Sequence, residues 1–164
     1  MISQAALKDK VRNFASDNRV PHQIAMQNYM HERFMERVSL SEYKDSFVLK
    51  GGTLVAALVG LKFRGTMDLD ITLRSYPLNE QHLLDAVKQV CAIDVKDGVF
   101  FELQKIQPIH KESEYGGFRV SFQSMCGNIR TYLSMDVTTG DIITPSAIQR
   151  NIPCMFDKNK SLNV

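Results

Sequence analysis

Residues 47–72 read FVLKGGTLVAALVGLKFRGTMDLDIT, and the architecture of the chain follows from this stretch. The apolar run at 47–49 predicts a short buried strand, and the glycines after it predict a tight turn. Residues 53–61 are apolar nearly all round, which predicts a buried helix. Residues 68–73 predict a second strand, so the stretch reads as a strand–helix–strand unit.

The Gly51-Gly52 pair lies where the first strand passes into the helix. Glycines permit a tight turn and a close approach to a ligand, and the start of a helix offers free N–H groups to an anion. Thr53 can cap this helix and donate its hydroxyl to a phosphate. These residues predict a phosphate cradle, although a plain strand-to-helix turn explains the same glycines. The stretch matches neither the P-loop nor the dinucleotide-binding fingerprint.

Asp68 and Asp70 share one face of the second strand because side chains alternate along a strand, and their Cα atoms lie about 7 Å apart. Two neighbouring carboxylates repel each other unless solvent or a cation offsets the charge. Mg²⁺ prefers hard oxygen ligands and commonly combines one or two carboxylates with substrate phosphates. The pair therefore predicts a metal site, and a solvated pair on an edge strand is the alternative.

A third aspartate, Asp136, lies in the predicted strand 129–138, on the face shared by Tyr132 and Ser134. If this strand lies beside the strand at 68–73, the three carboxylates converge. Such a triad can hold two Mg²⁺ ions, of which one activates an attacking hydroxyl and the other stabilises a triphosphate and its leaving pyrophosphate.

The remaining elements follow one another in a simple order. Apolar residues at helical spacing predict helices at 3–17 with Ser3 as its cap, at 22–38 and at 79–91. Turn residues separate three predicted strands, at 98–107, 117–125 and 129–138, and Cys126-Gly127-Asn128 marks a hairpin.

This order predicts an α+β fold, a mixed sheet flanked by helices with two helices at the amino terminus. We expect a helical segment at 1–46, a core at 47–157 and a polar tail at 158–164.

The composition of the 164 residues, with 44% apolar and 23% charged residues, is that of one globular domain. A net charge of +2 does not by itself indicate a nucleic-acid partner. No apolar run approaches the roughly 20 residues of a membrane span, and the start is no signal peptide. We expect a cytoplasmic protein without a membrane partner, with Cys91, Cys126 and Cys154 as reduced thiols. The four histidines form no close ligand pair, so no zinc site is predicted.

Four arginines on the predicted amino-terminal helices could face a nucleic-acid backbone: Arg12, Arg19, Arg33 and Arg37. Arg33 and Arg37 are one helical turn apart and form a basic edge, which Glu32 and Glu36 partly cancel. A solvated helix face is the alternative, and a phosphate-binding edge would be sensitive to salt.

The Gly-Gly-Thr turn, the short helix, the Asp-x-Asp strand and the later strand aspartate together resemble the DNA polymerase β-like nucleotidyltransferase superfamily. The closer resemblance is to the AbiEii/AbiGii toxin family, the nucleotidyltransferase-like toxins of bacterial type IV toxin–antitoxin and phage-abortive (abortive infection) systems. The segments that carry it are YMHERFMERVSLSEYKDSFVLKGGTL, FRGTMDLDI, YGGFRVSF and LSMDVTTGDIITP.

The resemblance implies an enzyme that uses Mg²⁺ and a nucleoside triphosphate to transfer a nucleotide to an acceptor, with RNA such as tRNA as the acceptor class. By position, the turn Gly51-Gly52-Thr53 would bind the nucleotide, and Asp68 and Asp70 would bind the metals. Asp136 would be the third carboxylate, as a general base or a metal ligand. A cognate antitoxin acting at the gene or RNA level is the partner that such a toxin implies.

Three further residues match the family pattern less specifically. Lys50 would contact phosphate, or is a solvated lysine at the end of a strand. Arg64 and Thr66 would support the site or contact the nucleotide, or form a salt bridge and a strand-start hydroxyl.

The family pattern continues into a helical half with a lysine that acts at the site, whereas this sequence ends at FDKNKSLNV. We therefore expect either a fragment of a longer product or a minimal form, and an apolar face left open would favour self-association. A catalytically silent nucleotide-binding or protein-interaction module is the alternative to a transferase. A structural domain with chance carboxylates would require three coincidences.

Overall fold

The computed structural model describes residues 1–50, 68–74, 77, 79–109, 116–139, 149, 151–157 and 159–164. Within these ranges the helices are α1 (Gln4–Asn18), α2 (His22–Leu40) and α3 (Glu80–Ala92). The strands are β1 (Phe47–Lys50), β2 (Asp68–Leu73), β3 (Phe100–Ile109), β4 (Gly117–Cys126), β5 (Ile129–Thr138), β6 (Asn151–Pro153) and β7 (Ser161–Asn163). The helix expected at 53–61 lies outside the described residues.

Side-chain caps fix where two of the helices begin. The Ser3 hydroxyl oxygen accepts a hydrogen bond from the Ala6 N–H at 3.2 Å. The Asn79 side-chain oxygen accepts one from the His82 N–H at 2.8 Å. Each bond satisfies an N–H group of a first helical turn that has no partner within the helix. Both helices therefore start beside their caps, of which Ser3 is the one that the sequence predicts.

The strands β1 to β5 form one mixed sheet in the order β1-β2-β5-β4-β3. β2 and β5 are parallel, and the other neighbouring strands are antiparallel. The predicted hairpin joins β4 and β5 through Gly127, whose φ of 57° lies in the left-handed region that glycine adopts without strain. The predicted α+β fold, with a mixed sheet and two amino-terminal helices, is confirmed.

The two faces of the sheet differ because side chains alternate along each strand. One face packs against α2 and α3 and is apolar. Its fully buried side chains are Leu69, Ile71, Val120, Phe122, Met135 and Val137. The Phe34 ring of α2 lies 4.8 Å from the Phe122 ring and 5.6 Å from the Phe101 ring, which are favourable separations for aromatic pairs. The opposite face carries the aspartates and several hydroxyl side chains.

The second half of α2 buries its charged residues, so the predicted basic edge is wrong. Arg33 and Arg37 are only 6% and 1% exposed. Arg37 donates to both carboxylate oxygens of Asp97, at 2.9 and 3.1 Å, and Arg33 pairs with Glu32 and Glu36. The alternative of a solvated face is wrong as well. Asp97 lies 60 positions away in the loop after α3, which the spacing within α2 could not reveal.

A small hairpin of β6 and β7 packs against α2, and its second strand, β7, lies within the predicted tail 158–164. Cys154 and Leu162 are buried. The Phe156 ring stacks on Tyr29 with 5.1 Å between the ring centroids. The Met155 N–H donates to the Glu32 carboxylate at 2.6 Å. Strands this short carry too few residues for a periodic pattern, so sequence alone does not indicate them.

Cys91, Cys126 and Cys154 are free thiols, as predicted. Burial raises the pKa of Cys91 to about 11, which keeps this thiol protonated and unreactive at neutral pH. In the described parts of the chain, no helix has both the length and the apolar character needed to cross a bilayer.

Replacing Arg37 tests the buried ion pair. Arg37→Met leaves Asp97, whose side chain is 12% exposed, without its main partner, and we expect a loss of about 3–5 kcal/mol in the free energy of unfolding. Urea denaturation measures this loss. Arg12→Met is the matched control because the Arg12–Asp9 pair is 70% and 60% exposed, and we expect it to cost less than about 1 kcal/mol. Equal losses in the two variants would contradict the assigned role of Arg37.

His31 predicts a pH dependence of stability. Its side chain is buried, and burial lowers the pKa of His31 to about 4. The unfolded chain therefore binds a proton at His31 at a higher pH than the folded chain does. The contribution of neutral His31 to the free energy of unfolding is present above about pH 6.5 and is lost as the pH falls towards 4.

On acidification from about pH 7 to about pH 4.5, we expect the free energy of unfolding of His31→Leu to fall by about 2–3 kcal/mol less than that of the wild type. Urea denaturation at both pH values measures the difference. Burial also raises the pKa of Glu32, but Glu32 is present in both proteins, so its contribution cancels in the comparison. Stability curves that stay parallel would contradict the role of His31.

Candidate functional site

Three aspartates lie on the polar face of the sheet where β2 meets β5. Asp70 and Asp136 are directly paired across these parallel strands, and Asp68 is paired with Ser134. Paired residues project to the same face of a sheet. β2 and β5 are therefore neighbours, as the convergence of the three carboxylates requires.

A row of four charged residues crosses the sheet at this point. Asp70 is paired with Lys50 on β1 and with Asp136 on β5, and Asp136 is paired with Arg119 on β4. The order across the four strands is thus cation, carboxylate, carboxylate, cation. Because neighbouring strands lie about 4.8 Å apart, each carboxylate has a positive charge on one side and a negative charge on the other.

Arg119 holds both oxygens of the Asp136 carboxylate. Its Nε and Nη2 atoms donate to the two oxygens at 2.8 and 3.0 Å. The hydrogen bonds and the charge of Asp136 raise the pKa of the Arg119 guanidinium, and the charges of Asp68 and Asp70 act in the same direction. Arg119 is therefore hydrogen-bonded to Asp136, and the charges of Asp68 and Asp70 act on it from a longer distance. Its own side chain is 44% exposed, so it is accessible to a ligand, whereas that of Asp136 is only 12% exposed.

Hydroxyl side chains of β5 contact the other members of the cluster. Ser134 donates a hydrogen bond from its hydroxyl to Asp68. Lys50 donates from its ammonium group to the Thr138 hydroxyl oxygen at 2.7 Å. Thr138 is paired with Gly117, where a Cβ atom would lie only 2.7 Å from the Val137 carbonyl oxygen. Glycine at position 117 thus permits the close approach of β4 to β5 beside the site.

Arg119 is the site residue that the sequence did not single out. It stands in the segment YGGFRVSF, between apolar residues of a predicted strand, where an arginine reads as a solvated side chain. The sequence feature that could have identified it is the alternation of side chains along β4, which assigns Arg119 to the polar face. Only the register of β4 against β5 places it opposite Asp136.

Five predicted nucleotide-binding residues lie outside the described residues: Gly51, Gly52, Thr53, Arg64 and Thr66. Their assignments stay predictions. Lys50 is the predicted nucleotide-binding residue for which the structure gives contacts, and it stands next to the carboxylates in the sheet.

The donor chemistry of the cluster suits a hard cation, although the cluster does not form a closed cage. Among the described residues, no three carboxylate, imidazole or thiol groups stand close enough to enclose a metal ion. Mg²⁺ does not require such a cage, because it commonly takes one or two carboxylates and completes its shell with water and substrate phosphates. Asp68 and Asp70, on one strand face and half-buried, match this requirement.

Comparison with known proteins identifies a family. The family model described as "Nucleotidyl transferase AbiEii toxin, Type IV TA system" matches residues 33–164. No curated protein matches the chain.

Two solved structures from Helicobacter pylori resemble the chain. One is described as a candidate nucleotidyltransferase, with 19% sequence identity, a TM-score of 0.47, and coverage of 77% of this chain and 49% of that one. The other is JHP933, with 21% identity, a TM-score of 0.45, and coverage of 77% and 49%. The chain thus spans about half the length of the two structures that it matches.

A double-mutant cycle tests the pairing of Arg119 with Asp136. Arg119→Gln leaves Asp136 charged beside Asp70, and we expect a loss of about 1–2 kcal/mol in the free energy of unfolding after allowance for the exposure of Arg119. Adding Asp136→Asn removes the carboxylate repulsion and should restore about 1 kcal/mol of that loss. Urea denaturation of the two single variants, the double variant and the wild type measures the coupling. Strictly additive losses would contradict the pairing.

Proposed function

The chain belongs to the AbiEii nucleotidyltransferase toxin family, and from this premise we propose that it forms the nucleotide-binding and metal-binding part of a Mg²⁺-dependent nucleotidyltransferase. The donor is a nucleoside triphosphate, and the acceptor is a hydroxyl group of RNA, of which tRNA is one class.

The observation that carries the proposal is the row Lys50, Asp70, Asp136 and Arg119 across four strands. It presents carboxylates for a metal ion between two cations that can contact phosphate oxygens. A triphosphate is the ligand that needs both, because its own charge requires cations and its metal requires oxygen ligands. The flanking cations distinguish this cluster from a solvated pair of aspartates.

Asp68 and Asp70 would hold Mg²⁺, with Asp136 as the third carboxylate and two ions as the expected number. The bound metal would offset the charge of the triphosphate and of the departing pyrophosphate. Lys50 would bind a phosphate oxygen, since its ammonium group lies at the same edge of the cluster. Gly51, Gly52 and Thr53 directly follow Lys50 in the chain and are the proposed phosphate cradle.

The proposed transfer forms a bond between the acceptor oxygen and the α-phosphorus and breaks the bond from that phosphorus to the bridging oxygen of the pyrophosphate. The hydroxyl proton leaves to a base, for which Asp136 is the proposed group. Both Asp136 oxygens accept hydrogen bonds from Arg119, and each oxygen keeps a second lone pair that could take the proton. A bound triphosphate would provide Arg119 with an alternative anionic partner and thereby release Asp136.

The wider biological role follows from the family alone. A type IV toxin implies a cognate antitoxin, which we propose acts at the gene or RNA level, and abortive infection is the proposed setting. A cytoplasmic location is consistent with these partners. Self-association stays a prediction.

Calorimetry of triphosphate binding tests the function. Each of the four nucleoside triphosphates is titrated into the chain with and without Mg²⁺, and then into Asp68→Asn/Asp70→Asn. We expect Mg²⁺-dependent binding that weakens at least about tenfold, or about 1.4 kcal/mol, in the double variant. Asp17→Asn is the matched control, because Asp17 is an exposed carboxylate of α1, and it should bind as the wild type does.

Incubation with a triphosphate labelled at the α-phosphate and with total tRNA then tests transfer. Labelled RNA would support the transferase. Binding without transfer would favour the alternative, a catalytically silent nucleotide-binding module. A folded wild type that binds no triphosphate would contradict both.

A further inference from the structure

A cleft of about 560 Å³ lies between the first two helices and the beginning of β5. Its lining includes Lys8 and Arg12 from α1, Gln27 from α2, and Arg130 and Tyr132 from β5. β2 pairs with β5 only from Ser134 onward. The cleft therefore occupies the stretch of β5 that precedes the carboxylate cluster.

Cationic side chains stand on both walls of the cleft. Lys8 and Arg12 are one helical turn apart and share a face of α1, and Arg130 lies on the opposite wall. Arg12 is paired with Asp9 at 2.6 Å, which offsets one of the three charges. Lys8 and Arg130 are exposed, and neither has an ion-pair partner among the described residues. The cleft thus retains a net positive charge that suits an anionic ligand.

Tyr132 adds a flat aromatic surface to these charges. Its side chain is 69% exposed, which makes it one of the most exposed large apolar groups of the described chain. An exposed ring beside cationic groups is the arrangement on which single-stranded polynucleotides stack their bases while their phosphates contact the cations.

Gln27, a residue of the lining, carries an unsatisfied hydrogen-bond acceptor. It is only 6% exposed, and its Nε2 donates to the Tyr132 carbonyl oxygen at 3.3 Å. This bond fixes the orientation of the amide, and its Oε1 has no hydrogen-bond partner in the described structure. A buried acceptor without a donor costs free energy, so a ligand that brings an N–H or O–H group is favoured here. Ribose hydroxyls and base amino groups are such donors.

We propose that this cleft binds a single-stranded polynucleotide, with phosphates on Lys8 and Arg130 and a base stacked on Tyr132. Tyr132 and Asp136 lie on the same face of β5, four residues and so about 13 Å apart. A strand held in the cleft can therefore direct one end towards the carboxylates. This inference extends the proposed function, because the cleft would hold the acceptor.

Fluorescence anisotropy of a labelled single-stranded oligoribonucleotide tests the cleft. The measurement contains EDTA and no triphosphate, so it does not depend on the metal site or on transfer. We expect Lys8→Gln/Arg130→Gln to weaken binding about tenfold or more and to reduce the salt dependence, the slope of log K against log salt, by about 1.4. Tyr132→Ala should weaken binding about 5- to 150-fold, whereas Tyr132→Phe should retain it.

Lys88→Gln/Lys105→Gln is the matched control, since it removes two exposed lysines that do not line the cleft. The substituted side chains are all exposed, so each variant should fold as the wild type does. The inference is overturned if the cleft variants bind as the wild type does, if the control loses as much affinity, or if an RNA duplex competes as well as the single strand.

A DNA oligonucleotide of the same sequence identifies the group that Gln27 recognises. Tighter binding of RNA, with the difference removed by Gln27→Met, would assign the Gln27 acceptor to a ribose hydroxyl. Equal binding of DNA and RNA, weakened to the same extent by Gln27→Met, would assign it to a base, and both results support the cleft. Binding of neither strand would overturn the cleft while leaving the triphosphate result unaffected. Oligonucleotide binding without triphosphate binding would overturn only the proposed function.

Discussion

The parallel pairing of β2 with β5 is the constraint on which the polar face depends, because it sets Asp70 directly opposite Asp136. Like charges opposite each other destabilise a strand pair. The strands outside this pair offset that repulsion, since β1 brings Lys50 and β4 brings Arg119 into the same row. The order of the strands in the sheet is therefore also an order of charges. A shift of β1 or β4 by one residue would move its cation to the apolar face and leave the carboxylates uncompensated.

The apolar side of the sheet is held by α2, which combines core packing with buried charge. Its Phe34 ring packs on the rings of β3 and β4, while Arg37 binds Asp97 and the Val99 carbonyl oxygen. Burying charge is costly, so such pairs are poor evidence of added stability. They are specific, however, because a displaced partner leaves an unpaired charge in the interior. α2 thereby fixes the α3–β3 loop and, through Glu32, the terminal hairpin.

β5 serves three purposes with one alternating pattern. Met135 and Val137 are buried in the core, whereas Ser134 and Asp136 on the other face join the carboxylate cluster. Tyr132, two residues earlier on that same face, belongs to the cleft beside the amino-terminal helices. Because the backbone of a paired strand is rigid, the spacing between cleft and cluster is fixed by residue count. The number of residues along β5 thus determines the distance between the two candidate binding regions.

Local pattern was sufficient for much of this protein. Alternation and turn chemistry located β2, β5 and the hairpin at Gly127. The capping residue Ser3 located the start of α1, and the Asp-x-Asp spacing indicated the carboxylate face. These features depend on neighbours within a few residues.

Other features depend on register and on contacts between distant segments, which no local period encodes. They include the Arg119–Asp136 pair, the burial of Arg37 against Asp97 and the packing of the terminal hairpin on α2. The basic edge expected on α2 failed for that reason: its periodicity was correct, but the partners that bury it come from the loop after α3 and the terminal hairpin.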